Sequence, residues 1–460
     1  MKHINLYPFI MVAIIGTFFM PNNASAQRAN SLYFLERTPF HNQWNPAMTP
    51  ENTGFGIGVS NISISAHSDL AYSDLFTPSA DGSEFHSLLD EEFDKEALIA
   101  KLGALSSINI NSNIDILNIG IRFKKGYLTI HSGITLDAGL GVPKDLFKMF
   151  LLGMDENAAS TVFNMTELNI NSMAYAKYGI GYSTKIGKMF TVGVNANYLQ
   201  GITDMRMGFD NLTVTASDAE WNAVSNGYVQ MAAPDFVKFK YDQDGYLNGI
   251  DTEDRSGSGL PKTGKGFSMD LGITAKPLPY LTLSAALIDL GSIKWDASCI
   301  QRAESNGTYT FDGVVINDNE DISFDESSET FKEMAHFSQD NNVTGYSSKL
   351  TTKLNIGAEA GILNNHITFG LLSQTGFATE GNYQDFMFSA NLKPSKIIQG
   401  ALTYSRLHGN ISAFGAAVNA KLLFFNLFAA GDIIPMKYSE EMIPKNSKYL
   451  NFQFGLNMMF

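Results

Sequence analysis

Beyond about residue 54, apolar and polar positions alternate with a period of two. The last segment shows it most plainly: Leu450, Phe452, Phe454, Leu456, Met458 and Phe460 alternate with Asn451, Gln453, Gly455 and Asn457. Residues 127–138 repeat the pattern, with Leu128, Ile130, Ile134 and Leu136 against Thr129, His131, Thr135 and Asp137. So do 267–275 and 353–360. Successive side chains of a strand point to opposite faces, so each segment predicts a strand with one apolar and one polar face. A soluble antiparallel sandwich would share that alternation, but many of these strands are long. Ten residues at about 3.3 Å each, tilted by roughly 40°, cover about 25 Å, the height of the apolar band of an outer-membrane barrel. Charges keep to the polar face of these segments, as expected where a Lys or Arg facing lipid at mid-depth costs roughly 2–4 kcal/mol.

The turns sharpen this reading. Clusters of Gly, Pro, Asn and Lys mark tight connections at Lys124-Lys125-Gly126 and at 185–188, 276–280, 363–365, 393–396 and 421–424. Between them lie longer or irregular excursions, at 139–165, 207–263, 293–345, 377–382, 408–409 and 433–447, and 66–106 follows a first strand near 55–65. Short turns on one side and mostly long loops on the other is the outer-membrane arrangement. An open sheet edge in lipid would leave backbone groups unpaired, so the sheet must close. The turns count out an all-β, transmembrane antiparallel barrel of about 14 strands, in which 448–460 pairs with 55–65.

Three stretches fall outside this pattern. Lys2 and His3 precede an apolar run at 8–20 and then Ala24-Ser25-Ala26, which reads as a secretory signal cleaved near Ala26. That run is shorter than the roughly 20 residues a membrane helix needs. Residues 27–53 lack alternation and form a plug or a periplasmic segment ahead of the barrel at 54–460. Helical spacing over 90–105 and 143–153 predicts two short amphipathic helices in the outer loops.

Composition excludes more than it identifies. A net charge of −14 argues against nucleic acid, whose phosphates such a surface repels. Cys299 is the single cysteine, so neither an intrachain disulfide nor a cysteine metal cluster can form. Much of the acidity lies in loops 207–263 and 293–345, the usual character of a solvated face. Asp242, Asp244 and Glu253 fall at positions 1, 3 and 12 of a calcium loop, but Tyr246 and Leu247 stand where a ligand and the required Gly belong. A P-loop-like stretch at 259–266 lacks the Ser/Thr that would hold magnesium and precedes a strand. No nucleophile elbow or zinc helix is present, so neither an enzyme nor a cofactor is expected. On the polar face, Arg122, Asp137, Asp270, Lys353 and Glu359 are candidates for pairing inside the lumen, while His131 and His366, on or beside strands, read as ordinary lumen residues.

Two short motifs carry a family resemblance. Trp44-Asn45-Pro46-Ala47 precedes the first strand, and Asp289-Leu290-Gly291-Ser292-Ile293-Lys294-Trp295 has the form of a D-L-G-x-I-x-W strand end. Over about 40–460 the chain resembles an uncharacterised Gram-negative outer-membrane family of unknown function, similar to the long-chain fatty-acid transporter (FadL-like) barrels and to type IX secretion-associated barrels. The resemblance implies that Trp44, Asn45, Pro46 and Ala47 belong to a luminal plug. It implies binding or transport of small hydrophobic compounds; the alternative is a surface or secretion-associated scaffold for protein partners. The terminal Phe454, Leu456, Met458 and Phe460 resemble the signal by which the barrel-assembly machinery inserts such strands. The expected partners are therefore that machinery, outer-membrane lipid, and a hydrophobic ligand or secretion-system protein.

Overall fold

The computed structural model describes residues 30–35, 39–50, 53–78, 85–88, 90, 92–155, 157–252, 259–311, 331–378, 381–395, 397–407, 411–433 and 448–460. The signal segment and its cleavage site lie outside the described residues. Fourteen strands close an antiparallel barrel. They are β1 (Phe55–Ser68), β2 (Leu105–Phe123), β3 (Gly126–Pro143), β4 (Asn169–Ile186), β5 (Phe190–Ala216), β6 (Gly264–Leu278), β7 (Leu281–Trp295), β8 (Thr352–Ile362), β9 (Ile367–Ala378), β10 (Gly381–Leu392), β11 (Ile398–Leu407), β12 (Ile411–Leu422), β13 (Phe425–Ile433) and β14 (Tyr449–Met459). Each pairs with its successor, and β1 closes the ring against β14 from Gly56↔Met459 to His67↔Tyr449. The closed fold and its strand number are those the turns imply.

All six tight connections fall at one end of the barrel, here the turn end. Several use left-handed backbone, which a short hairpin needs and most side chains resist. Gly187 (φ 65°) and Asn365 (φ 64°) adopt it readily, whereas Leu363 (52°) and Leu423 (57°) are held there by the ladders on either side. Along the strands the alternation sorts as expected. Phe267, Leu271, Ile356, Leu371, Phe386 and Leu402 face outward and exposed, while Asn61, Asn195, Asn197, Gln453 and Asn457 face inward and are buried. Among the described residues no helix is long and apolar enough to cross a membrane.

The opposite, loop end differs from the sequence reading in two ways. The excursion at 377–382 is short, because β9 runs to Ala378 and β10 begins at Gly381. The excursion at 207–263 begins as sheet: β5 pairs with β6 only as far as Gly201, then continues to Ala216 against a strand at Trp221–Ala232. That strand pairs along its length with Ile300–Phe311, drawn from the other long excursion. Apolar residues of this outer sheet, among them Phe163, Met165, Leu212, Val214, Val229 and Met231, bury one another in a core of their own. The expected helical stretches hold α1 (Lys95–Lys101), capped by Asp94 through the Ala97 amide at 2.8 Å, and α2 (Lys144–Leu151). The two pack through Ile99, Leu102 and Leu151.

Candidate functional site in the barrel lumen

Residues 30–35 and 39–50 lie inside the barrel. Their short 3-10 turns, Asn30–Leu32 and Pro39–Gln43, place Leu32, Tyr33, Phe34, Leu35, Phe40 and Trp44 in contact with inward side chains of the wall. All six are buried. The wall accommodates them by omitting side chains. A Cβ on Gly193 would lie 2.3 Å from the Pro46 carbonyl, and one on Gly272 would lie 2.0 Å from Asn45 Oδ1. Glycine is therefore the residue that lets the backbone of 45–47 approach β5 and β6.

Polar contacts fix the segment in register. The Asn45 amide donates to the carbonyls of Ile273 (3.3 Å) and Ala285 (3.2 Å), on β6 and β7, while its oxygen accepts from the Ala47 amide at 2.9 Å. Asn355 donates to the Trp44 carbonyl at 3.0 Å, and Gln43 donates to Asp115 at 2.8 Å. Asn45 thus turns the chain and ties it to two strands at once, which only an amide with both donors and an acceptor can do.

Toward the loop end, a cluster of charged side chains sits on the inward faces of β2–β8. Lys177 pairs with Asp289. Asp270 accepts from Asn195 (3.0 Å), Asn197 (3.2 Å) and the Asp289 amide (2.8 Å). His131 bonds Asn197 at 2.9 Å, and Asn111 donates to Asp137. Asp289 has φ 58° at a bulge where Ile288 and Asp289 together oppose Asp270. The extra residue turns its carboxylate inward to Lys177. Sequence spacing singles out Asp289 within its motif but gives no sign of the bulge or of Lys177 as its partner.

The other expected luminal pairs resolve differently. Glu359 does find a cation, Lys393, at 2.7 Å. Arg122 instead donates to the Thr53 carbonyl at 3.1 Å and lies 5.1 Å from the Tyr127 ring centre. His366 is at an exposed turn, bonded to the Leu363 carbonyl at 2.6 Å. The calcium-like stretch is the tip of a hairpin between Val237–Tyr241 and Leu247–Thr252. Asp242 there accepts the amides of Asp244 and Tyr246, each at 2.9 Å, and a strand follows where a calcium loop leads into a helix. Glu253 lies outside the described residues. Among the described residues no group of three or more His, Cys, Asp or Glu could hold a metal. The terminal residues Leu450, Phe452 and Phe454 face outward, with Leu456 and Met458 half-exposed on the same face. Phe460 stacks on Phe424 with ring centres 5.6 Å apart.

Residues 41–48 separate two cavities. Toward the turn end is a vestibule of about 470 Å³, lined by Tyr33, Phe34 and Met48 on one side and by Arg122, Lys125 and Lys188 on another. Toward the loop end is a polar pocket of only about 50 Å³ among Gln43, Asp115, His131, Lys177, Asp270 and Lys353. A third hollow, of about 660 Å³, lies in the wall across β6–β11, among Ile273, Leu283, Ile356, Leu371 and Phe388. Beyond the lumen, Tyr346 and Ser348 both donate to Asp204, at 2.6 and 2.8 Å, and Trp295 donates to Ser348 at 2.6 Å, which ties the loop end of β7 to β5. Burial and the Asp204 carboxylate both push the Tyr346 hydroxyl well above its ordinary pKa, so it stays a donor.

The model of a family described as "Family of unknown function (DUF5723)" matches residues 46–432. No curated protein matches the chain. Among solved structures, the chain is similar to the toluene transporter TbuX of Ralstonia pickettii, at 9% identity and a TM-score of 0.44, covering 92% of this chain and 94% of that one. It is also similar to a FadL homologue of Pseudomonas aeruginosa, at 9% identity and a TM-score of 0.43, covering 96% and 98%. The toluene transporter TodX of Pseudomonas putida gives 7% identity and a TM-score of 0.41, covering 95% and 98%.

Proposed function

The chain belongs to this family of unknown function, and we propose that it is an outer-membrane barrel which binds or passes small hydrophobic compounds, with residues 27–53 as its plug. One observation carries the reading: an apolar segment is seated in the lumen, packed on one side against apolar wall residues such as Leu372 and Phe428, above a vestibule that Tyr33, Phe34 and Met48 help to line. A barrel of 14 strands is too wide for its own wall side chains to fill, so what occupies the lumen decides what can cross. The described part of the segment leaves about 50 Å³ on its far side, too little for anything but a few waters. Passage therefore requires the segment to shift, and its aromatic side chains offer an apolar compound a surface as it does. Trp44, Asn45, Pro46 and Ala47 act as the hinge and lock of this plug. Phe454, Leu456, Met458 and Phe460 act in assembly, as the outward face of the strand that closes the ring.

The test is single-channel recording in planar bilayers. The intact protein is expected to be silent, and a variant lacking residues 30–48 to conduct with steady open-pore steps. Equal silence from a deletion variant that still migrates as a folded barrel in an unboiled gel would overturn the plug. Native mass spectrometry in mild detergent addresses the cargo: a small apolar compound should leave with the intact protein and be missing from the deletion variant.

A second reading, a scaffold for protein partners, is favoured by the outer sheet with its own core. Its apolar residues are spent internally, however, and few large ones, such as Val162 and Val224, are exposed there. A stoichiometric partner that stays with the full chain and leaves when the Trp221–Ala232 strand is cut out would reverse the order of the two readings.

A further inference from the structure

Most wall charges face inward, but at the loop end of β6 and β7 a group of cations turns outward, as Arg406 also does on β11. Lys265 and Lys294 are directly opposite each other across these two strands. Both side chains point outward and are exposed, because their neighbours Gly266, Ile293 and Trp295 face in. Lys349, on the short strand Ser347–Lys349, is opposite Ser292 and so lies diagonally beside Lys294 on the same face. Among the described residues none of the three has an ion-pair partner. Asp296, the nearest acid in the sequence, makes no ion pair with Lys294. Just below them stand Phe267, 71% exposed, and Leu290, 45% exposed, at the upper edge of the apolar band.

We propose that Lys265, Lys294 and Lys349 form a binding site on the outer wall for the phosphorylated headgroup of an outer-leaflet lipid. Like charges directly opposite on a sheet repel, so in a chain of net charge −14 a trio of cations is stable where an anion sits among them. Lysine ammonium groups are point donors that suit a phosphate approached from several sides. Their height fixes the source. A phosphate held there leaves its acyl chains lying against Phe267 and Leu290, in the band where lipid already belongs. The inference needs the membrane barrel only and stands whether or not the lumen carries a hydrophobic cargo.

Native mass spectrometry of the full-length protein with added lipid tests it, using bis-phosphorylated lipid A, its dephosphorylated form and inorganic phosphate as probes. Wild type is expected to retain the phosphorylated lipid at least tenfold better than the K265Q/K294Q/K349Q variant, and tenfold better than it retains the dephosphorylated form. The variant K265R/K294R/K349R is expected to keep binding, and Lys421→Gln, at the opposite end, to bind as wild type does. Equal retention by the Gln variant, or equal binding of the dephosphorylated lipid, would overturn the site. Inorganic phosphate that displaces the lipid at comparable concentration would refute the lipid as its ligand. Should the triple Gln variant fail to give the folded gel form, single Lys294→Gln carries the same comparison, with at least a threefold loss expected.

Discussion

The two halves of the barrel are built to different specifications. Strands β1–β7 run from 14 to 27 residues, whereas β8–β14 run from 9 to 12. The short half has little more than the length the apolar band requires. The long half continues beyond it into the outer sheet and the helices. The lumen divides along the same line. Leu372, Met387, Ala401, Ala417, Phe428 and Ala430, on the short half, meet the aromatic side of the inner segment. The long half holds the charge cluster of Lys177, Asp289, Asp270 and Asp137. The segment thus packs its aromatic side against the short half, where Asn355 also bonds the Trp44 carbonyl, and is tied through Gln43 and Asn45 to the long half, so substitutions on the two sides should fail differently.

The largest effect is expected on the apolar side. Phe40 is fully buried, and its ring centre lies 6.1 Å from that of Phe428. Phe40→Ala should cost about 3–5 kcal/mol of packing, borne by the docking of the segment and not by the closed ladder of the wall. Hydrogen exchange should therefore speed up over 39–50 while β9–β13 stay protected, with the thermal gel-shift midpoint nearly unchanged. Matched loss of protection in segment and wall would show that the two fold as one unit.

On the polar side a smaller effect is expected, and it should reach the wall. Lys177→Met removes the Lys177 ion pair from Asp289 in a half-buried site, at a cost of about 1–3 kcal/mol. A double variant with Asp289→Asn should recover part of that loss. Urea unfolding in detergent, run as a four-protein cycle, measures the coupling, and strict additivity would mean that the pair contributes nothing.

Legibility in the sequence follows the same division. The short half was readable from β8 to β14 because period two, Lys- and Asn-bearing turns and strand length all point one way there, as in 353–360 and 450–460. The outer sheet was not, although Leu212, Val214 and Ala216 alternate with Thr213 and Thr215. Its partner strands lie far apart in the chain, and nothing local announces that Trp221–Ala232 pairs with Ile300–Phe311. In the lumen, Asn45-Pro46 stood out, but its seats, Gly193 and Gly272, look like any strand glycines until the backbone is placed on them. Lys177 and Asp289 are 112 positions apart, and only the bulge at Asp289 joins them.

The smallest expected effect separates the outer structures from the wall. On α2, burial alone would raise the Asp145 carboxyl, but three contacts hold it below its ordinary pKa. These are the Lys148 hydrogen bond at 2.7 Å, the Asn164 amide at 3.0 Å, and the charges of Lys148 and Lys144. A carboxyl lowered in the folded state stabilises that state above its unfolded pKa and loses the contribution as pH falls through the folded one. Asp145 is partly exposed to solvent, whose screening keeps the effect small. Hydrogen exchange at 144–151 should accelerate as pH drops below about 4, after correction for the intrinsic rate. The wall strands should not follow, and Asp145→Asn should flatten the response. If the wall loosened in step with α2, the loop end would be part of the barrel's own stability and no longer a structure carried upon it.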